Sequence, residues 1–271
     1  KWFHYNKGGD NRNWYGNNEL VVNWENDGQL IKNNKDSKTG RLRSHNYNGE
    51  FGFRESGTWT AICSGDIMVR YSPKGFLFDS KGASGFSDTH EDLLYCIGML
   101  NSKVSGIFLR VLSPSFEYKV GHVANVPFIE ANKEEVVKLV EGNIRLSRQD
   151  WVSKESSYEF SRLPLIALIN TENGGKLVSA VEQSWNDVRK KNFYLLKQNE
   201  EKLNDLFINA YNLQDELGSE VDDKDVMVDC GNTTNDVKRL ISFAVGCMFG
   251  RYSLDVDGLA YAGGEWDASR Y

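Results

Sequence analysis

The sequence predicts an α+β chain: a mostly β front with one long helix, then a mostly α-helical back. Three observations carry that prediction. Before His90, short alternating apolar segments are separated by Gly, Asn, Ser and Pro turns, the pattern of half-buried strands. Leu94, Ile97, Leu100, Val104, Ile107, Phe108 and Val111 then recur at steps of three and four, one buried face of a single helix. After Pro127 the apolar spacing is helical nearly throughout, so the expected division is 1–131 and 132–271. A chain of 271 residues has room for two ordinary domains, and 40% hydrophobic content with 12% aromatics excludes intrinsic disorder.

Taken in order, residues 1–28 mix Trp2, Phe3, Tyr5, Trp14, Tyr15 and Trp24 with Gly and Asn. Residues 20–24 read as a strand, and aromatics beside alternating valines are expected in a core rather than stacked on bases. Residues 32–50 are polar, basic and nearly free of aliphatics, which predicts an exposed loop. Strands are predicted at 58–63, 67–71 and 75–78, followed by a second flexible loop at 82–87. Thr89 or Asp88 is placed to cap the long helix, and Ser113-Pro114 stops it because proline cannot continue helical geometry. Residues 116–123 read as a short strand with a turn at Gly121, and Asn125-Val126-Pro127 closes the segment.

In the back half, Asn132 with Glu135 makes a capping pattern for a helix to about Glu141. Ser147 and Asp150 suggest a further helical turn carrying Trp151. Pro164 and Asn173-Gly174-Gly175 punctuate the chain before a helical pattern at 176–217. Unbroken, that pattern would extend roughly 60 Å as a stalk. Residues 218–233 are expected as an acidic surface loop. Val237, Leu240, Ile241, Ala244, Val245 and Met248 predict a final buried helix starting near Thr234.

Charge is unevenly spread. The whole chain carries −6, but residues 1–131 hold 15 Lys/Arg against 14 Asp/Glu, and residues 132–271 hold 17 against 24. Positive field is therefore concentrated in the front half, with six basic and two acidic residues in 32–54. Cys63, Cys96, Cys230 and Cys247 lie far apart, which predicts separate thiols in a reducing cytoplasm. No apolar run approaches the length of roughly 20 residues that spans a bilayer. No secretory leader is seen, and no membrane partner is expected. The start at Lys1 rather than Met and the Gly-rich end predict a piece of a longer protein.

The loop at 38–46 is the best candidate for DNA contact, through Lys38, Arg41, Arg43 and Asn46, and on its residues alone it reads equally as a solvated, mobile loop. Arginine bridges O6 and N7 of guanine, asparagine does the same on adenine, and lysine meets phosphates. Arg54, Arg70 and Lys74 sit on or beside the strands behind this loop, and Lys81 opens a Gly-rich segment able to approach a nucleic-acid backbone. Lys103 reads equally as a phosphate contact or as a residue at the edge of the apolar face. His4, His45, His90 and His122 lack metal-ligand spacing, and His90-Glu91-Asp92 reads as a helix start. Glu200-Glu201 and Asp222-Asp223 read as solvated faces.

The run Leu100-Asn101-Ser102-Lys103, then Ser113-Pro114, Gly121 and Asn125-Val126-Pro127, resembles the closing segment of target-recognition domains in DNA methyltransferases and type I restriction specificity subunits. Residues 1–28, 70–79, 199–217 and 243–266 resemble the phage-exclusion (BREX) adenine-specific methyltransferases of the PglX type, and the resemblance covers nearly the whole chain. It implies a C-terminal target-recognition domain with a helical spacer, double-stranded DNA as partner, and a missing N-terminal domain that binds S-adenosylmethionine and flips adenine out of the duplex. No cofactor is expected on this segment. Pro73, Pro114, Pro127 and Pro164 stand alone, so it lacks the Asn/Asp-Pro-Pro-Tyr/Phe loop of such enzymes and is expected to be non-catalytic. A second reading is a scaffold whose acidic, helical half docks other defence-system subunits. A third, a secreted glycan-binding module, rests only on the Trp-rich start and is disfavoured by the missing leader.

Overall fold

The computed structural model describes residues 1–44, 48–115, 117–169 and 178–271, and its fold is α+β. The chain divides into two compact units. The first comprises Lys1–Arg145 with Asn199–Val221, the second Leu146–Gln198 with Asp222–Tyr271. Residues 132–145 and 199–221 therefore go with the strands, not with the rest of the back half.

Every described strand belongs to the first unit. One small sheet has the order β2 (Val21–Asn23), β1 (Trp2–Asn6), β5 (Phe76–Phe78), with β1 antiparallel to β2 and parallel to β5. The other is antiparallel, with β3 (Ser56–Thr60) between β4 (Val69–Ser72) and β6 (Gly82–Gly85). Strand β6 replaces the flexible loop expected at 82–87. A Cβ on Gly82 would collide with the Asn6 carbonyl, so the glycine serves close packing of two protein backbones. Trp14 adopts φ of 65° and bridges β4 at Arg70, burying its indole almost completely.

Between β2 and β3 lies α1 (Glu25–Lys32), whose Asn26, Asp27 and Gly28 take left-handed geometry. The single long helix expected over 94–111 is two helices: α2 (His90–Leu100), capped by the Thr89 hydroxyl, and α3 (Lys103–Leu112), capped by Ser102. Asn101 breaks it. Its amide side chain accepts from Val69 N (2.8 Å) and donates to Val69 O (2.9 Å), pairing with the edge of β4 as a backbone would. Past that break Val111 is exposed rather than buried. Nor is 116–123 a strand. Phe116 lies outside the described residues, Glu117 makes one bridge with Ile62, and Val120–Ala124 forms a short helix, α4.

Helix α5 (Lys133–Val152) is continuous where a short helix and a separate turn were expected. Its Val136 and Val140 pack on Gly98 of α2, where a Cβ would meet Val140 Cγ2 at 2.8 Å. The long helical pattern becomes α7 (Val178–Ala210). At 1.5 Å of rise per residue it extends about 50 Å. Lys176, Leu177 and Asn173-Gly174-Gly175 lie outside the described residues. Far from being a solvated stalk, α7 buries Leu203 and Phe207 in the first unit and Val181, Phe193 and Leu196 in the second. Glu200, expected on a solvated face, is buried and accepts from the Trp14 indole N–H (2.6 Å) and the Asn13 amide (3.0 Å).

The second unit adds α6 (Pro164–Ile169) and α8 (Thr233–Met248), with a core of Phe160, Leu163, Leu165, Val181, Phe243 and Tyr252. The loop expected at 218–233 buries Val226 and Val228. Helix α8 is amphipathic rather than buried all round. Phe243 faces the core, while Val237, Ile241, Val245 and Met248 are exposed.

Candidate nucleic-acid interface

The basic segment of the first unit is an ordered turn built on Asp36. Lys35 and Leu42 form an antiparallel bridge, Asp36 N donates to Arg41 O (2.8 Å), and Arg43 N donates to Asn34 O (2.8 Å). Asp36 Oδ1 accepts from Lys38 N (3.0 Å), Thr39 N (2.9 Å) and the Thr39 hydroxyl (3.1 Å), while its other oxygen pairs with Arg43 Nη2 (3.1 Å). The Thr39 amide and the Arg43 guanidinium hold the Asp36 carboxyl below the ordinary carboxylate range. Gly40, at φ of 68°, supplies the left-handed corner that closes the turn, and Gly40 N reaches Asp36 O (2.9 Å). What remains at the tip, exposed, are Ser37, Lys38 and Arg41.

The other expected contacts are differently employed. His45 and Asn46 lie outside the described residues. Arg54 donates to Ser87 O (3.0 Å) and lies 3.7 Å from Asp88. Its guanidinium also stacks beside the rings of Phe51 and Phe86. Arg70 is buried inside the sheet region, donating to Arg12 O (3.1 Å); burial pushes its guanidinium down to about 10, and the charge of Arg12 adds to the effect. Lys74 is exposed in the turn between β4 and β5. Lys81 is exposed 3.8 Å from Glu117. Lys103 clasps two backbone carbonyls, Gly218 O (3.1 Å) and Glu220 O (2.5 Å), tying α3 to the segment after α7. The arrangement thus sorts the cations: Lys38, Arg41, Lys74 and Lys81 face solvent, while Arg54, Arg70 and Lys103 brace the unit.

Sequence reasoning missed Asp36 and Gly40. The signal was there in Asp36-Ser37-Lys38-Thr39-Gly40, an acid that bonds the backbone two and three residues on, followed by a glycine.

Among the described residues no His, Cys, Asp or Glu group is assembled to hold a metal, and the cysteines are free. The helix-start reading of residues 90–92 stands, with Glu91 and Asp92 in the first turn of α2; Asp92 pairs with Lys133, and His90 lies 3.0 Å from Glu55. No helix among the described residues is long and apolar enough to cross a membrane.

No family model matches the chain. Its whole length, however, matches a segment of the adenine-specific methyltransferases. It is 52% identical over 270 residues to the adenine-specific methyltransferase PglX of Lacticaseibacillus casei (strain Zhang), covering 100% of this chain. It is 33% identical over 279 residues to the adenine-specific methyltransferase BrxX of Escherichia coli O9:H4 (strain HS), covering 97% of this chain. The chain spans 22% of the length of each relative, and so matches one part of a larger protein.

Proposed function

We propose that this chain recognises double-stranded DNA on behalf of a larger adenine-specific methyltransferase and does no chemistry itself. In this reading, methyl transfer, S-adenosylmethionine and adenine extrusion belong to the remainder of the full-length protein. The observation that carries it is the Asp36-clamped turn, which presents Arg41 and Lys38 on a fixed backbone. Arg41 is suited to a guanine edge and Lys38 to a phosphate. Lys74 and Lys81 supply further positive charge on the same unit, and Arg43 and Arg54 hold turn and loop in place. Asn46, just past the clamped segment in sequence, is assigned an adenine contact on its chemistry alone.

The test is a titration of cognate and scrambled duplex with the full-length protein. Arg41→Ala is expected to weaken cognate binding roughly 5- to 150-fold and relax specificity at one position, about 1–3 kcal/mol. Lys38→Ala is expected to weaken both duplexes alike. Unchanged binding in both variants removes this turn from the interface.

A second reading, docking of a protein surface on the helical unit, is favoured by the apolar face of α8, where Val237, Ile241, Val245 and Met248 share one exposed stripe. Hydrogen exchange on the full-length protein with and without candidate partner subunits tests it. Protection confined to α8 supports docking there, and unchanged exchange counts against it.

A further inference from the structure

A cleft of about 290 Å³ in the second unit is lined by Ser153, Lys154, Glu155, Ser156, Leu163, Lys238, Arg239 and Ser242. Three cations and three hydroxyls line it, in a unit whose acids outnumber its bases. The single acid, Glu155, accepts from the Tyr252 hydroxyl (3.1 Å).

The cations keep donor capacity. Arg189, not Arg239, takes the best of the nearby carboxylates: it forks onto both oxygens of Asp236 and reaches Asp229 Oδ2 (3.2 Å). Arg239 is left 3.5 Å from Asp229 and 3.8 Å from Asp236. Both separations are longer than a strong charge-assisted bond. Lys154 donates one hydrogen bond to Asp150 Oδ2 (3.1 Å), whose Oδ1 already accepts from Asp229 N (3.1 Å). Lys238 stands exposed on the first turns of α8, beside Arg239 and one turn before Ser242. A phosphate group, a diester included, satisfies such a set, because its unesterified oxygens each accept from more than one donor.

We propose that this cleft is a phosphate-binding site, with Lys238 and Arg239 as the charged contacts and Ser242 as a hydroxyl donor, and that the phosphate it takes is one of the DNA backbone. The choice of DNA as source rests on the function proposed above; the oxyanion chemistry does not. A contact here carries no base information and acts to position the duplex.

The experiment uses the full-length protein and its Lys238→Ala and Lys238→Glu variants, with Arg41→Ala alongside. Lys238 is exposed and removable without stranding a buried charge, which thermal melting verifies. The slope of log affinity against log salt is measured on cognate and scrambled duplex, and inorganic pyrophosphate is titrated calorimetrically. Loss of one phosphate contact is expected to lower the slope by about 0.9 and the affinity by roughly five- to tenfold at about 0.1 M salt, equally for both duplexes. A slope unchanged in both Lys238 variants, with pyrophosphate binding lost, reassigns the site to a free phosphate compound. Unchanged slope and unchanged pyrophosphate response overturn the proposal. If that happens while Arg41→Ala still weakens DNA, the cleft is wrong and the DNA-reading turn stands. If only the pyrophosphate response depends on Lys238, and Arg41→Ala leaves DNA binding intact, the cleft takes a free phosphate compound and the DNA-reading turn is wrong.

Discussion

Arg70 in the first unit and Arg189 in the second are both nearly sealed from solvent, 2% and 5% exposed, yet they are accommodated by opposite means. Arg70 gives its hydrogen bonds to a carbonyl and a hydroxyl, Arg12 O and Thr60 Oγ1, and burial lowers its pKa. Arg189 is gripped by Asp236 and Asp229, with Asn186 on the third side. The first arrangement is a buried cation that the fold tolerates. The second is a lock in which each partner needs the other. Deleting an arginine therefore means different things in the two places.

Arg189→Ala should be the most damaging change, because it leaves Asp236 charged and buried. A loss of about 3–5 kcal/mol is expected, read by denaturant unfolding. The double variant Arg189→Met with Asp236→Leu should recover much of it, and a full loss in the double variant would show that the pair is not the source. Glu200→Ala in the first unit is expected to cost about 1–3 kcal/mol, since it strands the buried Trp14 indole N–H. Arg70→Met should lie within about 1 kcal/mol of the parent, as it removes a desolvated charge rather than half of a pair. A loss as large as that of Arg189→Ala would erase the contrast.

The smallest effect is local and depends on pH. The Asp36 carboxyl titrates below its ordinary value in the folded turn. The stabilisation it gives is therefore complete above the usual carboxylate pKa of about 3.9 and fades as pH falls through the lower, folded value. Amide shifts or hydrogen exchange at Gly40 and Arg43 should report loosening only in that acid range. Asp36→Asn should loosen the turn at neutral pH.

Periodicity made the helices legible and left their limits hidden. The apolar face over 94–111 was real, but Asn101 ends it through an amide pair with Val69, far upstream, which no local pattern records. Helical spacing showed that α8 has an apolar side; it could not say whether anything covers that side. Glycines at 82 and 85 read as flexibility because a strand without side chains looks like a loop, and only the adjacency of Asn6 explains Gly82. The basic character of residues 32–44 was plain from composition. The clamp at Asp36 was written in local turn chemistry and overlooked. The use of Lys103 could not be read at all, because its partners lie 115 and 117 residues downstream.

The turn around Asp36 separates two jobs that loops often mix. Its shape comes from the main chain, one carboxylate, Thr39, Gly40 and Arg43, whereas the side chains of Ser37, Lys38 and Arg41 are exposed at its tip. In the DNA-reading role proposed above, a single codon change at Lys38 or Arg41 alters what is offered to a groove while the mount stays intact. New target preferences then require no refolding, a short route to diversity.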